Sequence, residues 1–177
     1  MSTVIVERSF DQPVAFEDIQ AIEDRGAWCL EAHGVRFLST YFSRDRRRMI
    51  CLYDAPDAEA VRVAQTKAGV PFADAWPAGI VAHAAGPSER ETIVVERTFD
   101  EPMDAVGLRE AAAGAAWCLQ AWGAQLELSY LSPDGHRCIC VFTAPDAEAV
   151  RQAHKLSGLP FEAAWAATRH EPPPALG

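Results

Sequence analysis

Ala55-Pro56-Asp57-Ala58-Glu59-Ala60-Val61-Arg62 occurs a second time, letter for letter, as Ala144 to Arg151. Moving outward in both directions, the same spacing holds. Upstream, Trp28-Cys29-Leu30 returns as Trp117-Cys118-Leu119, and Glu7-Arg8-Ser9-Phe10-Asp11 returns as Glu96-Arg97-Thr98-Phe99-Asp100. Downstream, Gly69-Val70-Pro71-Phe72 and Trp76 return as Gly158-Leu159-Pro160-Phe161 and Trp165. The offset is 89 residues throughout, so neither copy has gained or lost a residue. The chain reads as a tandem duplication of one small unit, with each unit depending on a modest core.

The quoted stretch opens a helix. Pro56 supplies a fixed φ and Asp57 a capping carboxylate, while Gly69 and Pro71 end the helix after Ala68. Ahead of it, Thr3 to Phe10 alternates and is rich in Val and Ile, as a strand does. Ile19, Ile22, Gly26, Cys29, Leu30 and His33 fall at helical spacing and Gly34 terminates that helix. Val35 to Ser43 and Arg48 to Tyr53 are two strands joined by a polar turn, which in the second copy is Ser132-Pro133-Asp134-Gly135. A last strand lies near Ala75 to His83. The order β-α-β-β-α-β, twice, is that of the ferredoxin-like unit, an α+β fold. Repeat 1 spans 1–83, a linker 84–91, repeat 2 spans 92–170, and 171–177 is a disordered tail. Each sheet carries helices on one face, so the two bare faces are expected to pack together as an intramolecular pseudo-dimer, an α+β barrel or sandwich.

Composition removes several function classes. A net charge of −9 argues against a nucleic-acid partner, and no apolar run is long enough for a membrane span. Five cysteines without a signal-peptide layout read as free thiols in a reducing cytoplasm. The expected form is a monomer acting as a pseudo-dimer, with further self-association left open.

Strand alternation sorts the side chains into two sets. Leu126, Leu128, Tyr130, Ile139 and Val141 are apolar and are expected under the helices. Glu127, Ser129, Leu131, Cys138, Cys140 and Phe142, with Leu38, Thr40, Phe42, Met49, Cys51 and Tyr53 in the first copy, are mixed and are expected on the helix-free face beside Glu7 and Glu96. Two chemistries follow. Cys51, Cys138 and Cys140 are candidate soft ligands for nickel or zinc. Thr40, Tyr53, Glu127, Ser129 and Phe142 would line a small-molecule cavity between the sheets, where Glu7 or Glu96 could act as acid or base. Cys29 and Cys118 are expected to be inert core thiols on the far side of the sheet from Cys51, and Trp28 and Trp117 to serve packing.

Val6-Glu7-Arg8, Ser129-Tyr130-Leu131-Ser132-Pro133-Asp134 and Cys140-Val141-Phe142-Thr143-Ala144-Pro145-Asp146 resemble a bacterial family of short ferredoxin-like proteins. It is catalogued as a domain of unknown function, with a member described as nickel-binding. The resemblance implies dimerising single domains, here fused, and binding of nickel. Many relatives carry a His in the second helix where this chain has Ala64 and Ala153. His154 and Gln65 stand one residue further on, about 100° around the helix. The sequence therefore points to a metal-ion-binding protein, with a small-molecule-binding protein or enzyme using Glu7 and Glu96 as the alternative.

Overall fold

The computed structural model describes residues 1–83 and 90–172. The linker residues 84–89 and the tail residues 173–177 lie outside the described residues. The described chain forms two compact units, unit 1 from Met1–Ala78 together with the described residues from Thr168 on, and unit 2 from Gly79–Ala167.

Unit 1 contains β1 (Ser2–Ser9), α1 (Phe16–Ala32), β2 (Arg36–Ser43), β3 (Arg48–Ala55), α2 (Ala58–Ala68) and the first part of β4 (Asp74–Ala82). Its sheet is antiparallel in the order β4-β1-β3-β2. The capping chemistry is as the sequence predicts. Asp57 accepts from the Ala60 N–H at 2.7 Å, and Gly69 closes α2 in the left-handed region with φ of 73°. The two helices meet where Gly26 faces Ala68. A Cβ on Gly26 would lie 2.4 Å from the Ala68 Cβ, so only glycine permits this approach.

Unit 2 repeats the plan with β5 (Glu91–Thr98), α3 (Ala105–Gly114), α4 (Ala116–Ala121), β6 (Gln125–Leu131), β7 (Arg137–Ala144), α5 (Ala147–Ser157) and β8 (Ala163–His170). The order is β8-β5-β7-β6, and Gly79–Ala82 pair with β6 on its outer edge. One element departs from the single first helix that the spacing predicts. The counterparts of Gly26 and Ala68 are Ala115 and Ser157, and the helix ends and restarts at Ala115, with φ −91° and ψ −5°. With a Cβ in place of the glycine hydrogen, close crossing is lost, and α4 rather than α3 carries the packing against α5.

The expected assignment of faces is reversed by the register. Val4 pairs with Tyr53, Val6 with Cys51 and Arg8 with Met49. In unit 2, Ile93 pairs with Phe142, Val95 with Cys140 and Arg97 with Cys138. Directly opposed residues share a face, so Cys51, Tyr53, Cys138, Cys140 and Phe142 lie under the helices, in the same cores as Val4, Val6, Ile93 and Val95. Thr40 and Ser129 go with them, opposite Cys51 and Cys140. Ile50, Leu52, Ile139 and Val141 share the other face with Glu7 and Glu96. Two features hide this in the sequence. Both faces are buried, so hydrophobicity does not separate them. Bulges at Leu38 and Glu127 also invert the alternation, bringing Phe37 and Leu126 to the Tyr53 and Phe142 side.

All five cysteines are buried and free. Cys29 and Cys51 share one core, so the sheet does not separate them as expected. Trp28 and Trp117 are not core residues but are 65% and 63% exposed. Among the described residues no helix is long and apolar enough to cross a membrane.

Candidate functional site

The site begins with an arginine in the first strand of each unit. Arg8 has the same parity as Val4 and Val6, so it enters the core and is 3% exposed; Arg97 is its counterpart and is 6% exposed. A buried guanidinium is costly unless its donors and its charge are met.

Unit 1 meets most of them from within, leaving Arg8 Nε and the Gln65 amide nitrogen without a partner among the described residues. Arg8 donates through Nη2 to Glu23 Oε1 at 3.0 Å, to Gln65 Oε1 at 3.0 Å and to the Tyr53 hydroxyl at 3.3 Å, and through Nη1 to the Pro71 carbonyl at 2.6 Å. The Tyr53 hydroxyl in turn donates to Glu23 at 2.9 Å. Burial pushes the Tyr53 phenol and the Cys51 thiol up, so both keep their protons.

Unit 2 has lost three of these partners. By the fixed offset, Glu23 corresponds to Ala112, Tyr53 to Phe142 and Gln65 to His154. Arg97 donates through Nε to Cys140 Sγ at 3.4 Å, through Nη1 to the Pro160 carbonyl at 3.0 Å, and through Nη2 to His154 Nε2. The His154 Nδ1–H donates to the Val150 carbonyl at 2.7 Å, which leaves Nε2 as acceptor. Burial, reinforced by Arg97, lowers the His154 pKa to about 4, so the ring is neutral near pH 7. Cys140 is the most connected thiol. The Cys138 sulfur is 3.5 Å away, the Ser129 hydroxyl 3.3 Å, and His83 Nε2 lies 3.1 Å beyond Ser129. The bond from Cys138, and then the Arg97 charge, hold Cys140 below the usual thiol range against the upward pull of burial. Cys138 is pushed up by the same bond and by burial.

The missing side chains leave space. A cavity of about 220 Å³ lies between the sheet and the first helical segment of unit 2. Arg97, Cys140, Phe142 and His154 form its floor, and Leu108, Ala111, Ala112 and Leu119 cover it. Its walls at Ala112, Leu119 and Leu126 are shared with an open groove of about 740 Å³, whose other side carries His83, Arg90 and Arg109.

The residues expected from the sequence are distributed as follows. Phe142 lines the cavity, and Ser129 and Cys138 stand behind Cys140. Thr40, Cys51 and Tyr53 lie in the filled interior of unit 1, where the Thr40 oxygen is 3.0 Å from Cys51 Sγ. Glu127 is the bulge residue of β6, and its carbonyl accepts from the His83 N–H at 2.9 Å. Glu7 and Glu96 are outside the cavity and accept the indole N–H of Trp76 at 2.7 Å and of Trp165 at 2.9 Å. Arg97 is not among the site residues expected from the sequence, and His154 stands there only as the neighbour of Ala153. The signal was present in the parity of Val4, Val6 and Arg8, which puts a cation on the apolar face of a strand. His154 at one helical position beyond Ala153 is buried as well, because both positions fall within the wide inner face of α5.

Each repeat matches one family by itself, over residues 5–77 and 94–166. Its description is nickel responsive protein SCO4226-like. No curated protein matches the chain significantly. Among solved structures, SCO4226 from Streptomyces coelicolor A3(2) is 19% identical, and the match covers 48% of this chain and 99% of that one with a TM-score of 0.35. A mutant chlorite dismutase from Candidatus Nitrospira defluvii is 9% identical, and the match covers 95% of this chain and 91% of that one with a TM-score of 0.54. This second likeness is one of fold, extending across both repeats. With both repeats matched over most of the sequence, the chain belongs to the SCO4226-like family of nickel responsive proteins, as a tandem duplication of the family's ferredoxin-like unit.

Proposed function

We propose that the chain is a small-molecule-binding protein whose binding half is unit 2. The observation that supports this reading most is the cavity of about 220 Å³ over Arg97, Cys140 and His154, in a place that unit 1 fills with Glu23 and Tyr53. An apolar cavity of about 150 Å³ accommodates benzene, so this one suits a single ring with a short substituent. A ligand that binds only the folded state raises its stability, by about 2.7 kcal/mol at a hundredfold excess over Kd. Toluene is expected to raise the Tm of the wild-type protein and to leave that of a cavity-filling Ala111→Phe variant unchanged. No shift in wild type would remove the reading.

The family description supplies a second reading, a nickel or zinc ion held by Cys51, Cys138 or Cys140. The geometry argues against it. Among the described residues no group of three or more His, Cys, Asp or Glu is gathered closely enough to hold an ion. In unit 2 the Arg97 guanidinium stands against both Cys140 and His154, setting a fixed positive charge where a cation would have to sit. The residues present do not fit a bound metal in this arrangement. Metal analysis of untagged protein tests the point. Stoichiometric nickel that disappears in a Cys138→Ser/Cys140→Ser variant would install the second reading over the first. An acid–base role for Glu7 and Glu96 would require a substrate on the face away from the cavity, with each carboxylate already engaged by an indole.

A further inference from the structure

We propose that the ligand of unit 2 is a small apolar monocarboxylic acid, whose carboxylate takes on Arg97 the place that Glu23 holds on Arg8. This rests on the reading of the cavity as a ligand site and names the chemistry it selects.

The argument is a comparison within one molecule. Arg8 and Arg97 occupy the same strand position, both are buried, and both donate to the carbonyl of the proline that follows the second helix, Pro71 or Pro160. What differs is the anion. Arg8 has the Glu23 carboxylate, reaching down from the middle of α1. At the corresponding position in α3 stands Ala112, and Ala112 and Arg97 both line the cavity. The space that a glutamate side chain would occupy is therefore open, and it leads to the guanidinium. A guanidinium has five N–H groups in a planar fork that matches a carboxylate. Among the described residues Arg97 spends its bonds on a carbonyl, a neutral imidazole and a thiol, and none on a carboxylate.

The rest of the cavity sets the body of the ligand. Phe142 lacks the hydroxyl with which Tyr53 bonds Glu23, and Leu108, Ala111 and Leu119 offer no polar atom from their side chains. One buried cation faces the cavity, which favours a single negative charge over two. Arg90 and Arg109 in the adjoining groove add positive charge where an acid would approach.

Calorimetry with phenylacetate and its uncharged counterpart 2-phenylethanol tests this, on the full chain at neutral pH. In wild type, phenylacetate is expected to bind tighter than 2-phenylethanol by about tenfold or more, the worth of a charge-assisted hydrogen bond. Ala112→Glu supplies the missing carboxylate from within. This variant is expected to stay folded, with a Tm no lower than that of wild type, and to lose phenylacetate binding by more than about tenfold. Arg97→Met is expected to abolish the preference for acid over alcohol; should that variant fail to fold, Ala112→Glu decides alone. Equal affinity for acid and alcohol in wild type, or undiminished phenylacetate binding by folded Ala112→Glu, would overturn the carboxylate assignment while leaving a ligand cavity. Absence of binding by phenylacetate, 2-phenylethanol and toluene alike would instead bring down the cavity reading on which it rests.

Discussion

Units 1 and 2 share an element order, a strand order, a helix cap and a buried arginine, yet their interiors have gone separate ways. In unit 1 the arginine is enclosed by Glu23, Tyr53 and Gln65, and α1 runs unbroken across α2 through the Gly26–Ala68 contact. In unit 2 the counterparts Ala112, Phe142 and His154 leave a cavity, and the helix above it is interrupted at Ala115. The comparison separates what the fold requires from what a site adds. The strand arginine and its bond to the proline carbonyl are common to both. The carboxylate is needed only where the interior is closed. A duplicated chain can keep one copy filled and carry the cost of an opened one in the other.

The comparison can be broken most forcefully in unit 1. Glu23→Ala imitates unit 2 there, with Tyr53 still in place. Removing one partner of a buried ion pair is expected to cost about 3–5 kcal/mol, read as a lowered midpoint in urea denaturation. A loss below about 1 kcal/mol would mean that Arg8 does not depend on its carboxylate.

The next effect distinguishes His154 from Gln65 by titration. The folded-state pKa of His154 is lowered to about 4, below the usual value near 6.5 in an unfolded chain. Between these values the unfolded chain binds a proton that the folded one does not. The contribution is therefore fully present above about pH 6.5 and is lost as pH falls towards 4, by about 3 kcal/mol over the window. His154→Gln, which installs the unit 1 residue, is expected to flatten that part of the stability curve. An unchanged slope between pH 6.5 and 4.5 would show that the ring is not held neutral.

A smaller effect tests the helix crossing. Gly26→Ala is expected to destabilise by about 1–3 kcal/mol through overpacking against Ala68. Ala68→Gly in the same chain should recover most of that loss, and a double-mutant cycle measures the coupling. Additive losses would disconnect the break at Ala115 from the side chains at this crossing.

Much of the fold was legible. Repetition at a constant offset gave the two units, and Asp57 with Gly69 gave the ends of a helix, because caps and left-handed terminators are local events. The site was less so. Which face of β3 or β7 lies under the helices is decided by pairing with the neighbouring strand, and two buried faces present the same hydrophobicity. A single bulge at Leu38 or Glu127 then shifts every later residue to the opposite side. Alternation alone therefore puts Cys51, Cys138 and Cys140 on the wrong surface. An arginine after a glutamate suggests solvent exposure, whereas Arg97 shares the parity of Ile93 and Val95 and so lies on the buried face. The cavity itself has no sequence signature apart from the comparison of Glu23 with Ala112, which is informative only once both are known to stand above an arginine.

The burial of every thiol has a practical consequence. Cys29 and Cys51 belong to one half, and Cys118, Cys138 and Cys140 to the other. Cys140 stands in the cavity floor and is open to a small reagent by that route, whereas an alkylating reagent reaches the other four only when a half opens, so peptide mapping of slow labelling under native conditions becomes an internal clock for each half separately. The molecule carries its own two-channel recorder of breathing, and the channel beside the cavity should slow when that space is occupied.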